Sequence, residues 1–186
     1  TEAGSTADGA EAPDLNQDTK GTTITFWHSM GGVNGEAMDY LVNKFNEENT
    51  DGITVEAVYQ GEYDDTINKL KSAQIGNMGA DLVQIYDIGT RFMIDSGWVI
   101  PMQELINADG YDISQIEPNI AAYYTVNNEL YSMPFNSSTP ILYYNKDMFE
   151  KAGITEVPTS LEGILAIGDD LKTKGGAGEP LALSIY

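Results

Sequence analysis

Three short runs rich in β-branched and aromatic residues, Thr22–Trp27, Ile53–Tyr59 and Asp81–Tyr86, alternate with two stretches of helical period. Gly31-Gly32 ends the first run, and a helix opening at Asn34 or Gly35 sets Met38, Leu41, Val42 and Phe45 on one apolar stripe. A second helix is expected over Tyr63–Ile75, with Asp64 and Asp65 in its positive first turn and Ile67 and Leu70 turned inward. A short helix over Thr90–Asp95 follows the third run and ends near Gly97. Strand–helix–strand–helix–strand at this spacing predicts an α/β fold, a βαβαβ unit on a parallel sheet.

Further along, Pro101–Ala108 and Pro118–Tyr124 read as helices, and Glu129–Met133 and Pro140–Tyr144 as strands. Asn145 caps a short helix through Lys151 that stops at Gly153. Thr159 and Glu162, three apart ahead of an apolar run, predict a capping box, with Leu161, Ile164, Leu165, Gly168 and Leu171 lining the helix. Leu181–Ile185 is expected as a last strand. Thr1–Gly21 is small, acidic and nearly free of large apolar side chains, so it cannot offset its ordering entropy. The division that follows is an acidic disordered tether over 1–21, an N-terminal α/β lobe over 22–139, and a hinge crossing with the start of a second, incomplete lobe over 140–186.

A net charge of −20 argues against nucleic acid, whose phosphates need a basic face, and against docking on anionic lipid. Five acidic residues of the tail face only Lys20, so most of the charge belongs to the folded part. With no cysteine, neither disulfides nor thiolate metal sites are available. The acidic pairs Asp64-Asp65, Glu47-Glu48 and Asp169-Asp170 are sequence neighbours, which point about 100° apart on a helix and cannot flank one bond. His28 beside Ser29 lacks a nucleophile elbow, and Gly31-Gly32 lacks the remaining features of a nucleotide loop. No catalytic residue, metal or cofactor is therefore expected, and the chain is read as a binding protein.

Ligands of open parallel α/β sheets bind beyond the carboxyl ends of the strands, where strand order reverses. Trp27-His28-Ser29, Tyr59–Tyr63 and Asp87 follow the three strands and are expected on that rim. Pro134 and Pro140 bracket Asn136, Ser137, Ser138 and Thr139, short donors and acceptors on a stiffened loop that suit a ligand with several hydroxyls. Asp87 can accept hydroxyl hydrogens, or serve as a helix cap, or both. Tyr63 offers a hydroxyl and a ring face, or is a surface aromatic. Ser138 can donate to a phosphate or hydroxyl oxygen, or is a turn serine.

Several segments occur in order along the chain: Thr23-Ile24-Thr25-Phe26-Trp27-His28-Ser29-Met30, Phe45-Asn46-Glu47-Glu48-Asn49, Tyr59-Gln60-Gly61-Glu62-Tyr63, Gln84-Ile85-Tyr86-Asp87-Ile88-Gly89-Thr90 and Phe135–Asp147. Together they resemble the extracellular solute-binding proteins of ABC importers, family 1, from about Thr22 to Tyr186. The resemblance implies a type II periplasmic-binding-protein-like lobe and, in a longer protein, a second lobe across a cleft that closes by hinge bending. Thr139–Tyr144 is the expected hinge crossing. Within the family the chain resembles members that bind glycerol 3-phosphate, and this points to Tyr63, Asp87 and Ser138 as ligand contacts, with Trp27, His28, Asn136 and Ser137 beside them. Those members usually carry Glu where this chain has Asp87, and their phosphate-gripping arginine falls beyond Tyr186.

What the resemblance implies for function is capture of glycerol 3-phosphate or a glycerophosphodiester outside the cytoplasm and delivery to a membrane permease, with a malto-type oligosaccharide as the alternative ligand. A secreted carbohydrate-active hydrolase is a third reading, and it requires two carboxylates across a pocket. Partners would be the small polyol or polyol phosphate and the permease subunits, with the protein a monomer. Export by a removed signal peptide, to a lipid-anchored cell surface or a periplasm, is implied as well. With half the cleft beyond its end, the chain is expected to bind ligand weakly by itself.

Overall fold

The computed structural model describes residues 19–76 and 78–182, and the chain divides into two compact units, Thr1–Ser137 and Ser138–Tyr186. The first unit is built on a three-stranded parallel sheet of order β2-β1-β3. Strand β1 (Thr23–His28) pairs residue for residue with β2 (Thr54–Tyr59), and its Phe26 and Trp27 pair with β3 (Leu82–Val83). A central parallel strand faces packing on both sides, which suits the nearly unbroken apolar and β-branched run of β1.

Helix α1 (Gly32–Glu48) carries the chain from β1 to β2 and ties itself to the sheet edge through two asparagines. The Asn46 carboxamide accepts from the Val55 N–H at 2.8 Å and donates to the Val55 carbonyl at 2.9 Å. Asn49 makes the same pair of bonds to Ile53, at 3.2 and 3.0 Å. Two side chains thus stand in for a missing neighbour strand and blunt the β2 edge. Helix α2 (Tyr63–Ile75) opens with a capping box in which Glu62 and Asp65 exchange side-chain and backbone bonds. Gly61, at φ +98°, makes the turn into it, and a Cβ there would come 2.6 Å from Asp65 Oδ2.

A single turn of 3-10 helix at Asp87–Gly89 leads into α3 (Thr90–Ser96), followed by α4 (Met102–Asp109) and α5 (Pro118–Tyr123). Strands β4 (Thr125–Val126) and β5 (Glu129–Leu130) form an antiparallel hairpin, and Leu130 is among the most buried side chains described. Met30, Met38, Ile67, Leu70, Met93 and Ile106 complete the buried apolar set of this unit. The second unit holds α6 (Lys146–Ala152), α7 (Leu161–Ala166), the short α8 (Gly168–Asp170) and a π-helical turn at Leu171–Gly175. Its core is Phe149, Ala152 and Leu171, with Met148, Ile154, Ile167 and Ala177 packed around them.

The βαβαβ unit, the Tyr63–Ile75 helix and the Asn145 cap stand as the sequence predicts; Asn145 Oδ1 accepts from the Met148 N–H at 3.1 Å. Other expectations are corrected. Of the Asp81–Tyr86 run only Leu82–Val83 is strand, opposite Phe26 and Trp27, and the end of β1 at His28 leaves Ile85 and Tyr86 no partner on it. Glu129–Met133 shrinks to two residues, folded back by Asn127 and Asn128, both at positive φ. Pro140–Tyr144 is not a strand: no strand is described in the second unit to pair with it, and Tyr143 is 86% exposed.

The α7 cap is Ser160, not Thr159: its Oγ accepts from the Gly163 N–H at 3.1 Å, and because Gly163 has no side chain to return the bond, a simple cap replaces the expected Thr159–Glu162 box. The helix beyond it breaks at Ile167, which leaves Leu161 and Leu165 exposed and only Leu171 buried. On α1, Met38 is buried while Leu41 and Phe45 are exposed. Structure also precedes Thr22, since Gly21 N–H donates to the Gly52 carbonyl and Thr19 Oγ1 to that of Asp51. The expected tether over Thr1–Asp18 and the last three residues of the expected Leu181–Ile185 strand lie outside the described residues; Leu181 and Ala182 are not strand. The boundary between the compact units falls at 137/138, two residues ahead of the expected 139/140.

Candidate ligand-binding rim

Strand order β2-β1-β3 places the reversal between β1 and β3, because the chain leaves β1 toward one side and returns on the other. Two loops flank that point, His28–Gly31 after β1 and Gln84–Asp87 after β3. Tyr59–Glu62, after β2, stands on the same rim of the parallel sheet.

Tyr63 opens α2 and stacks on Tyr86, with ring centroids 5.5 Å apart and planes 2° from parallel. The Tyr86 hydroxyl donates to Asp64 Oδ1 at 2.7 Å. That hydrogen bond first, then burial and the charges of Asp64 and Asp87, hold the Tyr86 phenol above its ordinary pKa. Asp87 is exposed, and its Oδ1 accepts from the Ile88 N–H at 2.8 Å, which fixes the carboxylate and leaves Oδ2 available to a ligand hydroxyl. Asp87 therefore both opens the 3-10 turn and faces outward. Its charge also raises Tyr124, after the larger effect of burial. Gly89 lets the turn close on the unit, since a Cβ there would lie 2.8 Å from Ile85 Cγ2 and 3.0 Å from Ile67 Cδ1.

His28 is 3% exposed, held between the Phe26 and Tyr59 rings at 5.8 and 5.9 Å. Its Nδ1 accepts from the Met30 N–H at 3.2 Å, and burial pushes its pKa down, partly opposed by Asp39. Trp27 is half-buried in β1. The Asn136 carboxamide is engaged internally: Oδ1 accepts from Gln84 Nε2 at 2.8 Å and Nδ2 donates to Met30 Sδ at 3.5 Å. Ser137 is exposed at the end of the first unit, and Ser138 is exposed as the first residue of the second.

The first unit thus gathers Tyr63, Asp87, Trp27, His28 and Asn136 on or beneath the carboxyl rim of one sheet. Sequence reading missed Gln84, Thr66 and Tyr86. Gln84 Oε1 accepts from the Ser29 N–H at 3.0 Å, and the Ser29 and Thr66 hydroxyls share a bond of 2.7 Å. The available signal was position: Gln84 and Tyr86 bracket the end of an apolar run immediately before Asp87. Among the described residues no group of three or more His, Cys, Asp or Glu side chains is placed to hold a metal ion. Among the described residues no helix is long and apolar enough to cross a membrane.

A wound parallel sheet with polar and aromatic groups at its switch point defines a binding fold, and the chain belongs to the bacterial extracellular solute-binding protein family, matched over residues 31–184. It is 43% identical over 138 residues to the sn-glycerol-3-phosphate-binding periplasmic protein UgpB of Salmonella typhimurium, covering 72% of this chain and 31% of that protein. Among solved structures, UgpB from Mycobacterium tuberculosis in complex with glycerophosphocholine superposes with a TM-score of 0.68 at 28% identity, over 80% of this chain and 39% of that one. The sugar-binding protein MalE of Xanthomonas citri shares the fold, with a TM-score of 0.70 at 23% identity over 82% and 38%. The fold is that of type II periplasmic solute-binding proteins. The chain spans about a third of the length of the curated relatives it matches. These relatives are solute-binding proteins.

Proposed function

We propose that this chain forms part of the capture protein of an ABC importer, one that takes glycerol 3-phosphate or a glycerophosphodiester outside the cytoplasmic membrane and delivers it to the permease. The observation that carries the reading is the 43% identity over 138 residues to a glycerol-3-phosphate-binding protein. On that rim Asp87 Oδ2 accepts a glycerol hydroxyl, while Tyr63, stiffened by its stack on Tyr86, packs a ring face on ligand C–H groups. Ser138 donates to a phosphate oxygen or hydroxyl, and Ser137 is an accessory donor. Trp27, His28 and Asn136 are weaker candidates in the first unit, with the Asn136 carboxamide bonded to Gln84 and Met30. No bond is made or broken, so the protein is not an enzyme. It works outside the cytoplasm as a monomer, after removal of a signal peptide, on a lipid anchor or in a periplasm.

The test is a thermal-shift series on a chimera in which this chain replaces the matching segment of the Salmonella relative. Glycerol 3-phosphate or glycerophosphocholine is expected to raise the melting temperature and maltose to leave it unchanged. A rise with maltose alone would sink the phosphate assignment.

A further inference from the structure

Beneath the rim, five residues from three separate segments close a ring of hydrogen bonds. The Met30 N–H donates to His28 Nδ1 (3.2 Å), and Met30 Sδ accepts from Asn136 Nδ2 (3.5 Å). Asn136 Oδ1 accepts from Gln84 Nε2 (2.8 Å), and Gln84 Oε1 accepts from the Ser29 N–H (3.0 Å). The Ser29–Met30 peptide bond closes the loop through Asn136 and Gln84, and the His28 Nδ1 bond braces the 28–30 turn on which it depends. Each carboxamide is engaged at both its donor and its acceptor end, which fixes its orientation. His28, Ser29 and Gln84 are buried and Asn136 is exposed, so a link broken at one of the first three leaves a group that water does not readily satisfy.

We propose that His28, Gln84 and Asn136 are positioning residues of the rim site, and that the ring they form opens when the His28 imidazole takes up a proton. The proposal rests on reading this rim as the ligand site. The chemistry is local. Nδ1 accepts the Met30 N–H only while it carries no proton, and imidazolium carries one on each nitrogen. Protonation therefore sets two donors against each other, Nδ1–H and the Met30 N–H, and the 28–30 turn must give way. Met30 Sδ then moves off Asn136 Nδ2, and the stretch ending at Ser137 loses one of the two hydrogen bonds of the Asn136 side chain, while Phe135 stays edge-on to Phe26.

The groups facing the ring are Phe26 of its own strand, Tyr59 of β2 and Asp39 of α1, and of these only Asp39 is charged at neutral pH. Burial favours the neutral ring more than Asp39 favours the cation, so the opening lies below the ordinary histidine range. His28 is the only histidine of the chain, so no other side chain has an ordinary pKa between about 5 and 8. The rim is thereby set at neutral pH and loosened in mild acid.

NMR on the 186-residue chain without ligand tests this. The His28 ring, the Met30 amide and the Asn136 side-chain amide are expected to titrate together, with one midpoint below 6.5, and the protection factor of the Met30 amide to fall at least tenfold on the acid side. In His28→Asn, whose Oδ1 can accept the N–H two residues on but takes up no proton near neutrality, those changes should disappear. A His28 ring that titrates without moving Met30 and Asn136, or changes that persist in His28→Asn, would overturn the proposal. Should the variant not fold, the wild-type titration decides alone. Because no ligand is present, failure here leaves the assignment of glycerol 3-phosphate standing, and failure of that assignment leaves this titration unaffected.

Discussion

Tyr63 and Tyr86 lie face to face, 2° from parallel, although one opens helix α2 and the other precedes the turn that carries Asp87. The stack joins Tyr63 to the residue before Asp87, through a ring that sequence reading did not single out. Asp64 holds the partner ring by its hydroxyl. Asp64→Asn is expected to bring the Tyr86 phenol down toward its ordinary value near 10, because it removes the largest cause of the rise, the bond to a carboxylate, together with that group's charge. A Tyr86 titration followed by NMR checks it, and an unchanged midpoint would show that Asp64 does not hold the ring.

Gly89 limits how closely the Asp87 turn can sit on the unit. Gly89→Ala brings a methyl group to within 2.8 Å of Ile85 Cγ2 and 3.0 Å of Ile67 Cδ1, and Ile67 is a buried side chain. Overpacking of this kind costs about 1–3 kcal/mol. Urea denaturation should show the loss, and under the proposed function Asp87 should shift and ligand affinity fall as well.

One face of α2 is core and its far end is not. Leu70 is 2% exposed and Ile75 is 91% exposed. Leu70→Ala is expected to cost about 2–5 kcal/mol, by lost transfer energy and a cavity. Ile75→Ala should stay within about 0.5 kcal/mol. Chemical denaturation of the two variants side by side gives the contrast, and equal losses would place the core elsewhere.

His28 makes stability depend on pH with a definite sign. Its folded pKa is lowered, so the unfolded chain binds the proton more readily. The contribution is complete above about 6.5, the ordinary value, and is lost as pH falls through the lower folded midpoint. Asp39 opposes burial, so Asp39→Asn should lower that midpoint further and deepen the acid loss, which still begins where the unfolded chain takes up its proton. Melting curves between pH 7.5 and pH 4.5 on wild type, His28→Asn and Asp39→Asn separate this term from the carboxylates; a slope in His28→Asn equal to that of wild type would contradict it.

The sheet and its helices were legible in sequence because strand and helix periods alternate cleanly from Thr22 to Ser96. Lengths were less so. The Asp81–Tyr86 run has strand composition throughout, yet only Leu82 and Val83 pair with β1, whose end at His28 leaves Ile85 and Tyr86 no partner on it. Pro140–Tyr144 failed for the same reason, a β-prone run with no strand described beside it in its unit. Asn127-Asn128 was a readable hairpin signal, two residues tolerant of positive φ between short apolar runs. At the rim, Tyr63 and Asp87 were visible from their places after strand ends. Gln84 and Thr66 were not, because a buried hydrogen-bond partner is identified by what lies opposite it in space.

The most direct test of the rim is a titration of the isotope-labelled chain with glycerol 3-phosphate, followed by NMR, which reads even millimolar binding. Shifts are expected to gather at Tyr63, Tyr86, Asp87 and Ile88 and to vanish in Asp87→Asn, with maltose producing none. Shifts scattered away from these residues, or unchanged in Asp87→Asn, would contradict the account.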